Sequence, residues 1–172
     1  LEPGALIRLH TALAELGCGF VGAAVQGLSY VDDHRPDELA CYEEWTGRPE
    51  PECITPDSPA WQRWMLHNAA NPTHLGERLA PGEWRAYKIA WVGGCVLYDR
   101  AKLCACGGFG FWVELPPDHC GEDVLVQQRV MARYGGAGVL PSGAYHLEAP
   151  TTVPDRRVDA VHHLALRHVT PA

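Results

Sequence analysis

Long apolar runs are missing from this sequence. Nothing in it approaches the ~20 consecutive apolar residues that a membrane-crossing helix requires, and its first residues lack the basic and apolar segments of a secretory signal. The expectation is a soluble piece with no membrane span. Positive charge is also scarce, with 14 Lys and Arg against 21 Asp and Glu and a formal net charge of −7. The basic residues are scattered, which argues against a nucleic-acid backbone as partner, so an anionic ligand would need a local site or a metal. No internal repeat and no low-complexity tract occurs. An initiating methionine is absent as well: the chain opens directly at Leu1-Glu2-Pro3-Gly4 and reads as a fragment or a processed product.

What is present suits one folded unit. Apolar residues make up 47% and charged residues 20% of 172 positions, close to the globular average and long enough for one core, so a single domain over 1–172 is expected. Seven cysteines, an odd number in a chain that needs no staples, suit reduced thiols and a cytoplasmic setting.

Local patterns alternate between helix and strand. Pro3 precedes Leu6, Leu9, Leu13 and Leu16 at helical spacing, and Gly17 and Gly19 end the run. Phe20 to Val25 then reads as a buried strand. Ser29 to Pro59 has neither period and reads as a long irregular loop, after which Ser58-Pro59 opens a short helix with Trp61, Trp64, Met65 and Asn68 on one face, ended by Pro72. Trp84 to Tyr98 suggests strands meeting at a bend at Gly93-Gly94, and Arg100 to Cys106 a short helix closed by Gly107-Gly108. Glu122 to Tyr134 has no Gly or Pro and repeats Val126, Val130 and Tyr134 every four residues, a helix with Asp123 at its amino end. There the free N–H groups and the helix dipole favour the ionised carboxylate. Ala137–Leu140 and Ala144–Leu147 read as short strands, and Asp155–Val169 as a last helix with Val158, Val161 and Ala165 inward. Helix alternating with buried strand is an α/β signature.

Three motifs in order carry a resemblance: Trp91-Val92-Gly93-Gly94-Cys95-Val96-Leu97-Tyr98-Asp99-Arg100, then Gly107-Gly108-Phe109, then Gly121-Glu122-Asp123 followed by Gln127-Gln128-Arg129. Together they resemble the second, acceptor-side half of family-2 glycosyltransferases of the GT-A type. The opening helix and the Phe20-Val21-Gly22 strand resemble the stretch that directly follows that family's Asp-x-Asp metal motif. The resemblance implies a partial GT-A-like nucleotide-diphospho-sugar transferase fold, an α/β mixed sheet flanked by helices, as the carboxyl-terminal part of a longer parent; the fragment alone is expected to be inactive. It implies transfer of a sugar from a nucleotide-sugar donor to a hydroxyl of a glycan or small-molecule acceptor, with inversion, assisted by a divalent cation (Mn²⁺ or Mg²⁺).

The resemblance assigns Asp123 as catalytic base, taking the acceptor's proton, and Glu122 as a holder of an acceptor hydroxyl. Acceptor contacts fall to Trp91, Gly93, Gly94, Gly108, Phe109, Trp112, His119 and Arg129. Flat aromatic faces suit the C–H face of a pyranose, and glycines permit close backbone approach. Gln128 and Arg129 also read as a plain solvated helix face. His146 would complete the metal site, as neutral imidazole suits Mn²⁺ beside carboxylates. Asp32-Asp33 falls after the strand, where the family has variable loop, and is set aside as a metal motif.

Two other readings rank lower. A zinc module from Cys104, Cys106, His119 and Cys120 has poor spacing, and Cys95, Cys104 and Cys106 read as inert thiols in apolar settings rather than nucleophiles. The stronger alternative is a catalytically inactive GT-A-like domain that binds a glycan or a partner. A truncated sheet would also expose an apolar strand edge.

Overall fold

The structure is a computed structural model describing residues 1–24, 26–27, 40–68, 75–146, 150 and 155–164. The expectations for Asp32-Asp33, for Pro72 and for the helix beyond residue 164 fall outside the described residues, as does the first part, 29–39, of the loop begun at Ser29.

The first helix, α1, is Ala5–Leu16. Gly4 (φ 86°) turns the chain into it, and Gly17 (φ 58°) ends it, donating its N–H to Leu13 O at 3.0 Å. Its inward stripe is Ala5, Leu9 and Ala12. Leu13 and Leu16 pack half-buried against the same cluster as expected, but Leu6 does not: at 61% exposure it lies with Ile7 on the outer face. Strand β1 (Phe20–Ala23) follows, then the two-residue strand β2 (Gln26–Gly27). Ser58 opens a 3-10 turn, Pro59–Trp64, its hydroxyl accepting the Ala60 N–H at 3.2 Å, and α2 (Met65–Asn68) continues it. Strands β3 (Arg85–Tyr87) and β4 (Cys95–Tyr98) come next, then α3 (Arg100–Ala105), capped by the Asp99 carboxylate on the Lys102 N–H. A second 3-10 turn, Gly110–Glu114, leads to α4 (Glu122–Tyr134), β5 (Gly136–Leu140), β6 (Tyr145–His146) and α5 (Ala160–Leu164).

The central sheet has the order β3-β5-β1-β4. β1 is parallel to β5, with Phe20 opposite Gly136, and antiparallel to β4, with Ala23 opposite Cys95. β3 is antiparallel to β5. This is the expected α/β mixed sheet flanked by helices. One expectation fails: β3 and β4 do not meet at the Gly93-Gly94 bend but lie on opposite edges, because β1 and β5 come between them. The outer edge of β3 is covered rather than exposed, with the Trp45 N–H on Ala86 O at 2.9 Å and the Lys88 N–H on Glu43 O at 2.8 Å. The last helix begins at Ala160, so Val158 precedes it while Val161 points inward as expected.

Period-two alternation divides the core into two faces. Val21, Ala23, Ala86, Ala137 and Val139 meet α1 through Leu9 and Ala12. Phe20, Tyr87 and Leu140 point the other way, toward Val130 and Met131 of α4. On that second face the strands carry glycines under aromatic rings: Gly136 lies under Phe20, and Gly138 under Tyr87. Any side chain there would occupy the space of the ring. A third cluster joins Val124, Leu125 and Val126 of α4 to Ala160, Val161 and Leu164 of α5, with Phe111 and Leu115 from the second 3-10 turn and its exit.

Candidate functional site

One end of the sheet collects Asp123, the start of α1 and His146, whereas Asp99 lies at the other end, its N–H on Gly19 O at 3.0 Å. The carboxyl end of α4 lies at the start of β1, since the Gly19 N–H donates to Tyr134 O and Gly135 O at 3.1 and 2.9 Å. The amino end of α4, with Asp123, therefore points to the carboxyl ends of the parallel pair β1 and β5. The start of α1 reaches the same end, with the Glu2 N–H on Gly143 O at 2.8 Å and the Tyr145 hydroxyl donating to Glu2 Oε1 at 2.6 Å. His146 follows Tyr145 and pairs in register with Gly27 beyond the end of β1. In open α/β sheets this is the end at which ligands bind.

The Trp91–Gly94 segment is brought to α4 by a contact that the sequence pattern did not reveal. Gln127, fully buried among apolar neighbours, accepts the Val92 N–H on Oε1 and donates from Nε2 to Val92 O, both at 2.8 Å. Val92 in turn fills the space over Gly22 of β1. Gln127 is one helical turn after Asp123, so a single helix carries both the carboxylate and the amide that fixes this segment. The signal was available: a glutamine at an inward helical position between Val124 and Val130 needs a polar partner.

Gln128 and Arg129 are not a solvated face. Gln128 is only 8% exposed. The Arg129 guanidinium lies 4.7 Å from the centroid of the Phe111 ring, and burial pulls its pKa down from the usual arginine range. Helix α4 is packed on three sides here, by the sheet, by α5 and by the 3-10 turn, so few of its positions reach solvent.

Asp123 is also corrected in one respect. Its Oδ1 accepts the Val124 N–H at 2.9 Å, as a helix-start carboxylate should. Yet its pKa is raised: burial dominates, the charges of Glu122 and Asp159 act in the same direction, and the backbone amides of Val124 and Asp123 oppose them. The helix terminus is outweighed by desolvation. The Asp123 charge in turn helps burial raise the hydroxyl of Tyr98 on β4.

The aromatic residues divide between platform and core. Phe109 and Trp112 are exposed, with Trp112 at 52%, and their rings meet edge to face at 5.7 Å. His119 extends the row, 6.2 Å from Trp112, with its ring Nδ1 on Pro116 O at 2.7 Å. Gly108, at φ 53°, makes the turn that leads to Phe109. Trp91 is half-buried and packs between two core clusters, a structural position rather than an open face. Gly93 is half-buried and Gly94 (φ 82°) exposed, leading directly into β4.

His146 is exposed. Among the described residues no group of three or more His, Cys, Asp and Glu side chains converges to hold a metal. The described residues therefore do not by themselves fit a divalent cation, and no chemical step is routed through one. The cysteines are all free; Cys95 and Cys106 are half-buried against the core clusters, where burial raises their thiols, as expected, whereas Cys104 is exposed and is not a core thiol. No described helix is long and apolar enough to cross a membrane. No protein-family model, no curated protein and no solved structure matches the chain.

Proposed function

We propose that this chain is the acceptor-side portion of a glycosyltransferase of the family-2, GT-A type, which moves a sugar from a nucleotide-sugar donor to a hydroxyl acceptor. The observation that carries the reading is the convergence of Asp123, the start of α1 and His146 at the carboxyl ends of the parallel strands. In the family that the motifs resemble, the Asp-x-Asp directly precedes the α1 segment. Here that segment is tied by Glu2 to Tyr145, next to His146. His146 is the one residue of this chain that the resemblance would give to a Mn²⁺ or Mg²⁺, and no step of the reading passes through that ion.

Asp123 takes the proton of the acceptor hydroxyl as that oxygen attacks the anomeric carbon and the bond to the diphosphate breaks, giving inversion. A carboxylate that holds protons more tightly is a stronger base once ionised, so the raised pKa favours the role. Phe109, Trp112 and His119 present the acceptor's sugar ring with aromatic faces upstream of the base, and Glu122 holds one of its hydroxyls. The same platform is what an inactive glycan-binding domain would present, so the experiment must separate the two. Nucleotide sugars are assayed for hydrolysis and transfer with Mn²⁺, using the longest natural reading frame that contains this segment and its Asp123→Asn variant. Activity that collapses in the variant supports the transferase. Equal activity removes Asp123 as base, and glycan binding without turnover of any donor leaves the binding domain.

A further inference from the structure

The backbone of Cys120 is tied to the approach of α5. Its N–H donates to Val158 O at 3.0 Å, and its carbonyl accepts the Ala160 N–H at 2.8 Å. Between those two residues, Asp159 turns its carboxylate onto the free amides of α5, accepting from Val161 at 2.9 Å and His162 at 3.4 Å. So fixed, the carboxylate faces Gly121: a Cβ on that glycine would lie 3.1 Å from both of its oxygens. Gly121, at φ 76°, begins α4, and Asp123 is two residues further on.

We propose that Asp159 is a positioning residue for Asp123, holding the Cys120–Gly121 turn from which Asp123 projects and keeping a fixed negative charge beside that carboxylate. The ionisable groups acting on Asp123 are Glu122 on its own helix and Asp159 from the approach to α5. Tyr98 from β4 and Cys120 before the helix feel the Asp123 charge, and Arg156 offsets the carboxylates at Cys120. Of the carboxylates, Asp159 alone is anchored by backbone amides from a second element. A like charge facing the turn makes the Asp123 proton harder to lose, so Asp159 adds to the proton affinity that burial gives Asp123.

The catalytic meaning of this arrangement rests on the transferase reading; the coupling itself does not. The test is a ¹³C-carboxyl NMR titration of the full chain labelled at aspartate, with the Asp123 signal assigned by its loss in Asp123→Asn. Asp159→Asn keeps a good helix cap and removes the charge. Its expected effect is a shift of the Asp123 midpoint to lower pH, with the amide shifts of α5 retained. Asp159→Ser, which also caps without charge, gives the same shift and serves if the asparagine variant loses α5. A midpoint that stays in place while α5 remains folded overturns the proposal. The midpoint decides it whether or not the parent transfers sugar, so absence of turnover removes the transferase reading alone. In an active parent, the acidic limb of kcat/KM against pH moves down with the midpoint, a change that a merely structural role for Asp159 would not produce.

Discussion

Gln127 and Val92 close a ring of two hydrogen bonds across 35 residues of sequence, side-chain amide to backbone amide, both at 2.8 Å and out of contact with water. The ring does the work of one rung of a sheet ladder, satisfying an N–H and a C=O in a segment that belongs to no strand. It also joins the helix that carries Asp123 to the stretch leading into β4.

Gln127→Leu removes both partners and leaves the two Val92 groups buried without hydrogen bonds. Each such group costs about 1–3 kcal/mol, so the loss in urea unfolding should be roughly 2–6 kcal/mol. The Val92 amide should also lose its protection in hydrogen exchange. A loss below about 0.5 kcal/mol, the size of an ordinary surface change, would mean that the segment is held by Val92 packing over Gly22 instead.

Asp123 makes a prediction of opposite sign. Its folded-state pKa is raised, so the folded chain binds its proton more tightly than the unfolded chain. That contribution is fully present below the unfolded carboxylate value and is lost as pH rises through the folded value. At neutral pH the buried charge is a liability, and Asp123→Asn should be more stable than the wild type. The gain should shrink as the pH falls toward the ordinary carboxylate range. Thermal unfolding of both proteins at several pH values checks this; an asparagine variant less stable at neutral pH would show that the Val124 amide outweighs desolvation. A stabilising substitution that abolishes activity is the pattern expected of a functional carboxylate.

Phe111 and Trp112 are neighbours with opposite expectations. Phe111 is buried against Val124 and under the Arg129 guanidinium, so Phe111→Ala should cost about 3–5 kcal/mol. Trp112 is half exposed, and Trp112→Ala should change stability by about 0.5 kcal/mol or less. If the platform takes sugar rings, the tryptophan variant loses acceptor binding while keeping its fold, as read by calorimetric titration with pyranosides beside a melting curve. Unchanged acceptor affinity would remove Trp112 from the site.

The contrast between these positions explains what could be read from sequence. Helix α4 was legible to its last residue, because an uninterrupted apolar period bounded by Gly121 and Gly135 leaves one reading. β1 and β5 were legible as short apolar runs between glycines. Pairing was not: the separation of β3 from β4 depends on β5, some 40 residues later, inserting beside β1, and periodicity carries no such information. The charge state of Asp123 failed for a related reason. A helix start is visible in sequence, whereas the burial that tertiary packing imposes on it and the charge of Asp159 are not. Leucine spacing marked the inward face at Leu9, Leu13 and Leu16; Leu6 departs from it because Ala5 takes the inward place in the first turn.

Those glycines on the α4 side of the sheet carry the last prediction. Gly138 lies flat beneath the Tyr87 ring, and a methyl group there would overlap several ring atoms, not the tip of a flexible chain. Tyr87 is fully buried, with the Tyr42 ring 5.5 Å away, and so has little room to retreat. Gly138→Ala should therefore destabilise by about 1–3 kcal/mol through overpacking. The cause is steric and local, so it should couple to the ring: in a Tyr87→Leu background, where the flat contact is gone, the same alanine should cost markedly less. A double-mutant cycle in urea measures the difference. Strict additivity would mean that the alanine acts through the β5 backbone, whereas strong coupling would identify the glycine as the seat of the ring.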